Sequence, residues 1–197
     1  DRGPAADFQA TASYYCEPLG KILRGLPNVF SRQQLDVGTR FLLHCLGQVS
    51  PFERAIDLAC GNGVLGLFAA HHAGARKVVF CDESAMALAS ARANAEQVFS
   101  PGDQRFSYHH GDGLRHYSGE PVDVILCNPP FHQEHTVNEF AARHLLQGCS
   151  RHLLPGGRLY LVANRHLDYA SLLRREFRRV QQFAANARFT VLMAQGI

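Results

Sequence analysis

Arg54-Ala55-Ile56-Asp57-Leu58-Ala59-Cys60-Gly61-Asn62-Gly63-Val64 is the stretch that decides the fold. Ala55 to Leu58 reads as a buried strand. Ala59 to Gly63 reads as a glycine-rich turn, and Val64 to His72 as a helix ended by Ala73-Gly74. Glycine lets the backbone pass close to a ligand, because no Cβ stands in the way. The strand–turn–helix unit then repeats. Lys77 to Cys81 is a second strand, closed by Asp82, and Ser84 is placed to cap a helix running to about Gln97. Strands follow at 105–109, 122–127, 158–163, 180–184 and 188–194, with helices at 137–153 and 167–177 between them. Phe140, Ala141, Leu145, Cys149 and Leu153 form the apolar stripe of the first of these helices, and Pro155-Gly156-Gly157 stops it. Alternating strands and helices imply an α/β fold: a mostly parallel seven-stranded sheet with helices on both faces and a terminal antiparallel hairpin turning at Asn186. Ligands of such sheets lie beyond the carboxyl ends of the strands.

Upstream, a helix starts near Asp36 with Phe41, Leu42, Cys45 and Leu46 on one face. Residues 1–25 show no strong period and read as a linker or the remnant of an upstream domain, with the catalytic domain spanning 26–197.

A second stretch carries chemistry. Asn128-Pro129-Pro130-Phe131 ends the strand 122–127 abruptly. Neither proline has an N–H to continue a ladder, and the residue before a proline is held extended. The result is a stiff corner offering an amide oxygen and backbone carbonyls, which suits the two hydrogens of a substrate –NH2. Phe131 supplies a flat face on which a base can stack. Asn-Pro is also a common turn starter, so the tetrapeptide gains weight only beside a cofactor site.

The acids supply that site. Gly61, Gly63 and Gly66 fit the G-x-G-x-x-G dinucleotide spacing. Asp57, however, ends the strand before them, and a carboxylate there repels a pyrophosphate and suits an ammonium group. Asp82 ends the next strand, where an acid accepts ribose hydroxyls. Asp112 follows the third strand, within reach of an adenine amine. An ammonium, a ribose and an adenine together describe S-adenosylmethionine.

Composition is ordinary for a globular domain: 197 residues, 46% hydrophobic and 19% charged, net charge +3. No apolar run is long enough to span a bilayer, so no membrane association is expected. Six scattered cysteines without C-x-x-C favour a reducing, cytoplasmic setting and buried thiols over disulfides. His132 and His135, His109-His110 and His71-His72 lack companions at metal-ligand spacing, so no metal is expected. Arg174-Arg175 and Arg178-Arg179 read as a solvated face.

Asp57 to Gly63 and Asn128 to Phe131 resemble the cofactor and catalytic motifs of Rossmann-like class I methyltransferases acting on exocyclic amines. With Leu26-Pro27-Asn28-Val29-Phe30-Ser31-Arg32, Asp36-Val37-Gly38, Val79 to Ser84 and Val162 to Tyr169, the sequence resembles the bacterial ribosomal RNA guanine-N2 methyltransferases, the large-subunit enzyme above all. The family's glycine loop often reads D-x-G-x-G-x-G, and Ala59 replaces its first glycine. The resemblance implies S-adenosylmethionine as methyl donor and a guanine N2 of ribosomal RNA as acceptor. It implies an upstream RNA-binding domain that this chain lacks. It implies catalytic roles for Asn128, Pro129 and Phe131. Cofactor contacts are implied for Asp57, Ala59, Gly61, Gly63, Asp82, Glu83, Asp112 and Asn128, and substrate contacts for Phe131, His132 and Arg165. Phe30 reads as an ordinary core phenylalanine, with a cover over the cofactor as its second reading. Adenine N6 and a protein glutamine amide remain open as acceptors, since the same corner serves them. A non-catalytic cofactor-binding module and a nicotinamide oxidoreductase are the other classes.

Overall fold

The computed structural model describes residues 12–130 and 139–196. Its first element is a hairpin. Strands β1 (Ala12–Cys16) and β2 (Lys21–Gly25) pair antiparallel across a short 3-10 turn, Glu17–Leu19. From residue 12, the stretch read as a linker or the remnant of an upstream domain holds this hairpin, which packs against α3. Leu23 and Gly25 point in while Ile22 and Arg24 point out, but five residues per strand are too few to show a period.

Helix α1 (Val37–Leu46) follows, capped by Asp36, whose side chain accepts from the Thr39 N–H at 2.8 Å. Then come β3 (Arg54–Leu58), α2 (Val64–His72), β4 (Lys77–Asp82), α3 (Ala85–Val98), β5 (Phe106–His110) and β6 (Val122–Cys127). The chain closes with α4 (Glu139–Leu146), β7 (Leu153–Asn164), α5 (Tyr169–Leu173), β8 (Arg179–Ala185) and β9 (Phe189–Gln195). Ser84 caps α3 as expected, accepting from Ala87 N–H at 3.3 Å.

The sheet has seven strands in the order β5-β4-β3-β6-β7-β9-β8. The first five are parallel, and β9 inserts antiparallel between β7 and β8. Chain order reverses at β3, which pairs with β4 on one side and β6 on the other. That is the switch point where such sheets bind ligands.

Two apolar clusters cover the two faces. One joins α1, α2, α3 and the hairpin to Ala55, Val78, Phe80, Val124 and Leu126. The other joins α4 and α5 to Ile56, Leu58, Val79, Ile125 and Cys127. Side chains alternate along a strand, so Asp57, between Ile56 and Leu58, faces the α2 side and is fully buried. Helix α2 is buried almost all round, and Gly66 lets it approach the sheet. A Cβ there would stand 2.5 Å from Phe80 Cε1 and 2.9 Å from Val78 Cγ1.

Two helices are shorter than the periodicity suggests. Gly148, with φ 84, breaks the helix expected over 137–153. A 3-10 turn, Cys149–His152, then leads directly into β7. Residues 137 and 138 lie outside the described residues. Phe140 leaves the expected stripe and is 75% exposed, and Ala142 takes its place in the core. Helix α5 begins only at Tyr169, because Asp168 caps it by accepting from Ser171 N–H at 3.0 Å. The six cysteines are all buried and free. Among the described residues, no helix is long and apolar enough to cross a membrane.

Candidate active site

The glycine turn and the proline corner are neighbours. Leu58 of β3 pairs with Cys127 of β6, so the residues that follow, Ala59 and Asn128, leave the sheet side by side. A cavity of about 210 Å³ opens there, lined by Phe30, Ala59, Gly61, Asp82, Glu83, Asp112 and Asn128 among others. One water takes about 30 Å³, so this is room for part of an organic ligand. The apolar walls are Val29, Leu58, Ala87, Pro130 and Leu145.

The turn is held open from both sides. Ala59, Gly61 and Gly63 have φ of 55, 54 and 84, all in the left-handed region. Glycine adopts it freely, whereas alanine there costs about 1–2 kcal/mol. The Gly61 N–H donates to Asp82 Oδ2 at 3.0 Å, while Asp82 Oδ1 accepts from Ser84 N–H at 2.9 Å. Asp82 thus ties the turn to the end of β4, and Glu83 is the exposed carboxylate beside it. Gly63 does not line the cavity. It packs the turn against α3, where a Cβ would come within 2.9 Å of the Ala91 Cβ.

Asp57 also lies off the cavity wall. Its Oδ2 accepts from the Gly66 N–H at 2.8 Å, inside α2, and its buried Oδ1 has no partner. Burial pushes its carboxyl well above the ordinary carboxylate value, and the neighbouring charge of Asp82 pushes the same way. Buried polar atoms are nearly always satisfied, so an unmatched carboxylate oxygen beneath the turn calls for a donor.

The hairpin braces the turn from outside the sheet. Asn94 of α3 donates to the carbonyls of Arg24 and Asn62 at 2.8 and 2.9 Å and accepts from the Arg24 N–H at 2.8 Å. Asn62 donates to the Tyr14 hydroxyl at 2.9 Å. Burial raises that hydroxyl to about 12, more than the Asn62 bond lowers it, so it stays protonated at neutral pH.

Asn128 is 7% exposed and anchored to α1. Its Nδ2 donates to Asp36 Oδ2 at 2.9 Å and to Thr39 Oγ1 at 2.7 Å. Pro129 is buried behind it. Phe131 and His132 lie outside the described residues. Arg165 stands on the same rim past β7 but does not line the cavity, and its guanidinium donates to the Asn186 carbonyl at 3.2 Å.

Several wall residues were not legible as site residues. Phe30, read first as core, is 45% exposed and lines the cavity. Asn28 and Ser31 on either side of it have φ of 62 and 59, a strained pair that bends this loop over the turn. A Cβ on Gly61 would lie 3.8 Å from Phe30 Cβ. Asn-Val-Phe-Ser after a proline was the available signal. Gly113 and Leu145 gave none, because only the fold brings α4 to the turn after β5.

The chemistry of the wall selects a ligand class. Asp82, Glu83 and Asp112 line it, and none of its described residues is Lys or Arg. Like charges about 4 Å apart repel by roughly 4 kcal/mol at an effective dielectric near 20. A pyrophosphate is therefore disfavoured here and a cationic ligand with hydroxyls is favoured.

A doubly wound sheet with an acid-walled cavity at its switch point and an Asn-Pro-Pro corner beside it defines a Rossmann-like class I methyltransferase domain. Residues 21–193 match the model of the methyltransferase small domain, and the chain belongs to that family. It is similar to the ribosomal RNA large subunit methyltransferase G of Pseudomonas fluorescens, 44% identical over 168 residues, covering 85% of this chain and 44% of that protein. The Alcanivorax borkumensis relative of the same name is 43% identical over 169 residues, covering 85% of this chain and 43% of its own length. The chain thus spans less than half the length of these relatives. Among solved structures, a T. thermophilus 16S rRNA N2 methyltransferase in complex with AdoMet and guanosine superimposes with a TM-score of 0.80. It is 24% identical and covers 100% of this chain and 53% of that one.

Proposed function

We propose that this domain transfers the methyl group of S-adenosylmethionine to the exocyclic N2 amine of a guanine in ribosomal RNA, of the large subunit by resemblance. The observation that carries the reading is the acid-walled cavity, without Lys or Arg among its described residues, set against the anchored amide of Asn128. The names of the relatives support ribosomal RNA as the acceptor class.

The residues fit the cofactor. When bound, S-adenosylmethionine supplies an electrophilic methyl on a sulfonium. Glu83 and Asp82 are the acceptors for ribose hydroxyls, and Asp112 for an adenine amine. The unmatched oxygen of Asp57, buried beneath the turn and off the cavity wall, is the acceptor for the ammonium through a bridging water. Phe30 and Leu145 close the apolar sides.

Asn128 Oδ1 and the Pro129 carbonyl accept the two hydrogens of the guanine amine. That draws the nitrogen toward tetrahedral geometry and aims its lone pair at the methyl. Positive charge grows on nitrogen in the transition state, so fixed acceptors bind that state better than the ground state. Holding the two reactants in line supplies the rest. Once the N–C bond has formed, the cationic nitrogen gives up one of its hydrogens as a proton to solvent water, so no dedicated base is needed. Phe131 is the stacking partner for the unpaired or flipped base, and His132 and Arg165 are contacts to its surroundings. A further domain of the whole protein contributes RNA affinity, which fits relatives more than twice as long as the matched region. A reducing cytoplasm fits six buried free thiols.

The test is labelled methyl transfer into ribosomal RNA, naked and in assembled subunits, followed by nucleoside analysis. N2-methylguanosine is the expected product. Label in N6-methyladenosine or in a protein glutamine, or none in any substrate, would overturn the reading.

A further inference from the structure

We propose that Asp36 and Thr39 are positioning residues that decide which end of the Asn128 amide faces the acceptor base. The inference rests on the reading of Asn128 given above. It adds the capping residue of α1 and one residue of its first turn, 92 and 89 positions from Asn128 in the chain.

The amide nitrogen of Asn128 carries two hydrogens and no acceptor capacity. Both hydrogens have an acceptor: Asp36 Oδ2 at 2.9 Å and Thr39 Oγ1 at 2.7 Å. With the nitrogen held on this side, the oxygen is the end of the amide turned away from Asp36 and Thr39, on a residue that lines the cavity. The two acceptors do not do the same work. A hydroxyl donates as well as accepts, so Thr39 alone tolerates either end of the amide. An ionised carboxylate only accepts. Rotating the amide by half a turn would set Asn128 Oδ1 against Asp36 Oδ2, oxygen to oxygen. Asp36 therefore selects the orientation and Thr39 fixes the plane.

Asp36 is itself immobilised. The same Oδ2 accepts from the Thr39 N–H at 2.8 Å as the cap of α1. Gly38 leaves space for this turn, since a Cβ there would stand 3.1 Å from Asp36 Oδ2 and 3.2 Å from Phe189 Cε1. The start of α1 is thus built as a socket for one side chain of β6's end. Without it, a donor face would meet the substrate's own donors, and the bond that polarises the amine would be lost.

The experiment compares Asp36→Ala, Asp36→Asn, Thr39→Val and Thr39→Ser with the parent protein, each also combined with Asn128→Ala. Readouts are single-turnover methyl transfer, S-adenosylmethionine affinity by calorimetry, and thermal unfolding. Asp36→Ala and Thr39→Val should each slow transfer about tenfold to a hundredfold, while cofactor affinity stays within about threefold. Thr39→Ser keeps the hydroxyl in place and should restore the rate to within about threefold of the parent, whereas Asp36→Asn, whose amide can donate as well as accept, no longer selects one orientation and should stay at least about threefold slower than the parent. In the Asn128→Ala background the added loss from Asp36→Ala should vanish, because residues acting through one another are not additive. Thr39→Val leaves the Asp36 cap intact, so a folding defect in Asp36→Ala does not decide the outcome. Full transfer by both Asp36→Ala and Thr39→Val, or additive losses with Asn128→Ala, would overturn the inference. Full transfer by Asn128→Ala itself would instead overturn the role of the corner.

Discussion

Leu58 and Cys127 are register partners across β3 and β6, the two parallel strands on either side of the sheet's switch point. Because strand partners end together, the glycine turn and the proline corner start at the same height, one strand spacing apart. The turn and the corner are therefore neighbours on the same rim of the sheet.

Asn128→Ala should lower the rate of methyl transfer by about 100- to 1,000-fold, equivalent to roughly 2.7–4 kcal/mol for one oriented dipole. Cofactor affinity should stay within a few fold, since the acceptors proposed for the cofactor's hydroxyls and adenine amine are Asp82, Glu83 and Asp112, at and beyond the ends of β4 and β5. Single-turnover kinetics and calorimetry on one preparation separate the two. Equal losses in both would mean that the corner binds cofactor and does not act on the amine.

Asp57→Asn should reveal a pH signature. Burial holds this carboxyl well above its ordinary value of 3.8. A carboxyl with a raised folded value binds its proton more tightly in the folded state. Its contribution to stability is full below the unfolded value and is lost as pH rises toward the folded one. The variant cannot titrate, so its melting temperature should gain on the parent's as pH climbs above about 4. Cofactor affinity should fall at the same time, because the amide keeps an acceptor oxygen but cannot ionise opposite the ammonium proposed to meet it. A difference in melting temperature that stays flat from acid to neutral pH would show that burial does not raise the Asp57 carboxyl.

Ala59→Gly should stabilise the protein. The native φ of 55 is one that an L side chain avoids, at about 1–2 kcal/mol. Glycine removes that strain but adds freedom to the unfolded chain, about 0.4–1 kcal/mol. The net gain expected is on the order of 0.5–1 kcal/mol, read as a higher urea midpoint with an unchanged slope. A lower midpoint would mean that the Ala59 methyl, on the cavity wall, contributes packing that outweighs its strain.

Asn94→Ala should loosen the hairpin and the turn together. The side chain is fully buried and makes three bonds to backbone groups of Arg24 and Asn62. Each buried backbone group left unmatched costs about 1–3 kcal/mol. Hydrogen exchange of residues 12–25 and of the turn should rise in the same variant, along with weaker cofactor binding. Exchange confined to the hairpin would show that the brace does not reach the turn.

The parallel sheet was readable because its strands and helices alternate in hydrophobic period, and because Ser84 and Gly74 punctuate α3 and α2 locally. The hairpin at 12–25 was not, since its strands are five residues long and are stabilised by Asn94 and Gln97 of α3, some seventy positions away. Phe140 misled for a related reason: an apolar stripe does not reveal which face of α4 meets the sheet, and Ala142 is buried while Phe140 is exposed.

By itself, the order of residues determined the turn at Ala59 to Gly63, the stiffness of Asn128-Pro129-Pro130 and the carboxylates at successive strand ends. These depend on backbone sterics and neighbouring residues, which a chain carries with it. Tertiary structure alone decided that Asp57 is a buried brace off the cavity wall, that Phe30 covers the turn, and that Asp36 and Thr39 grip Asn128. Each of those depends on which face of a strand or helix meets which neighbour, a relation set by packing between segments far apart in the chain.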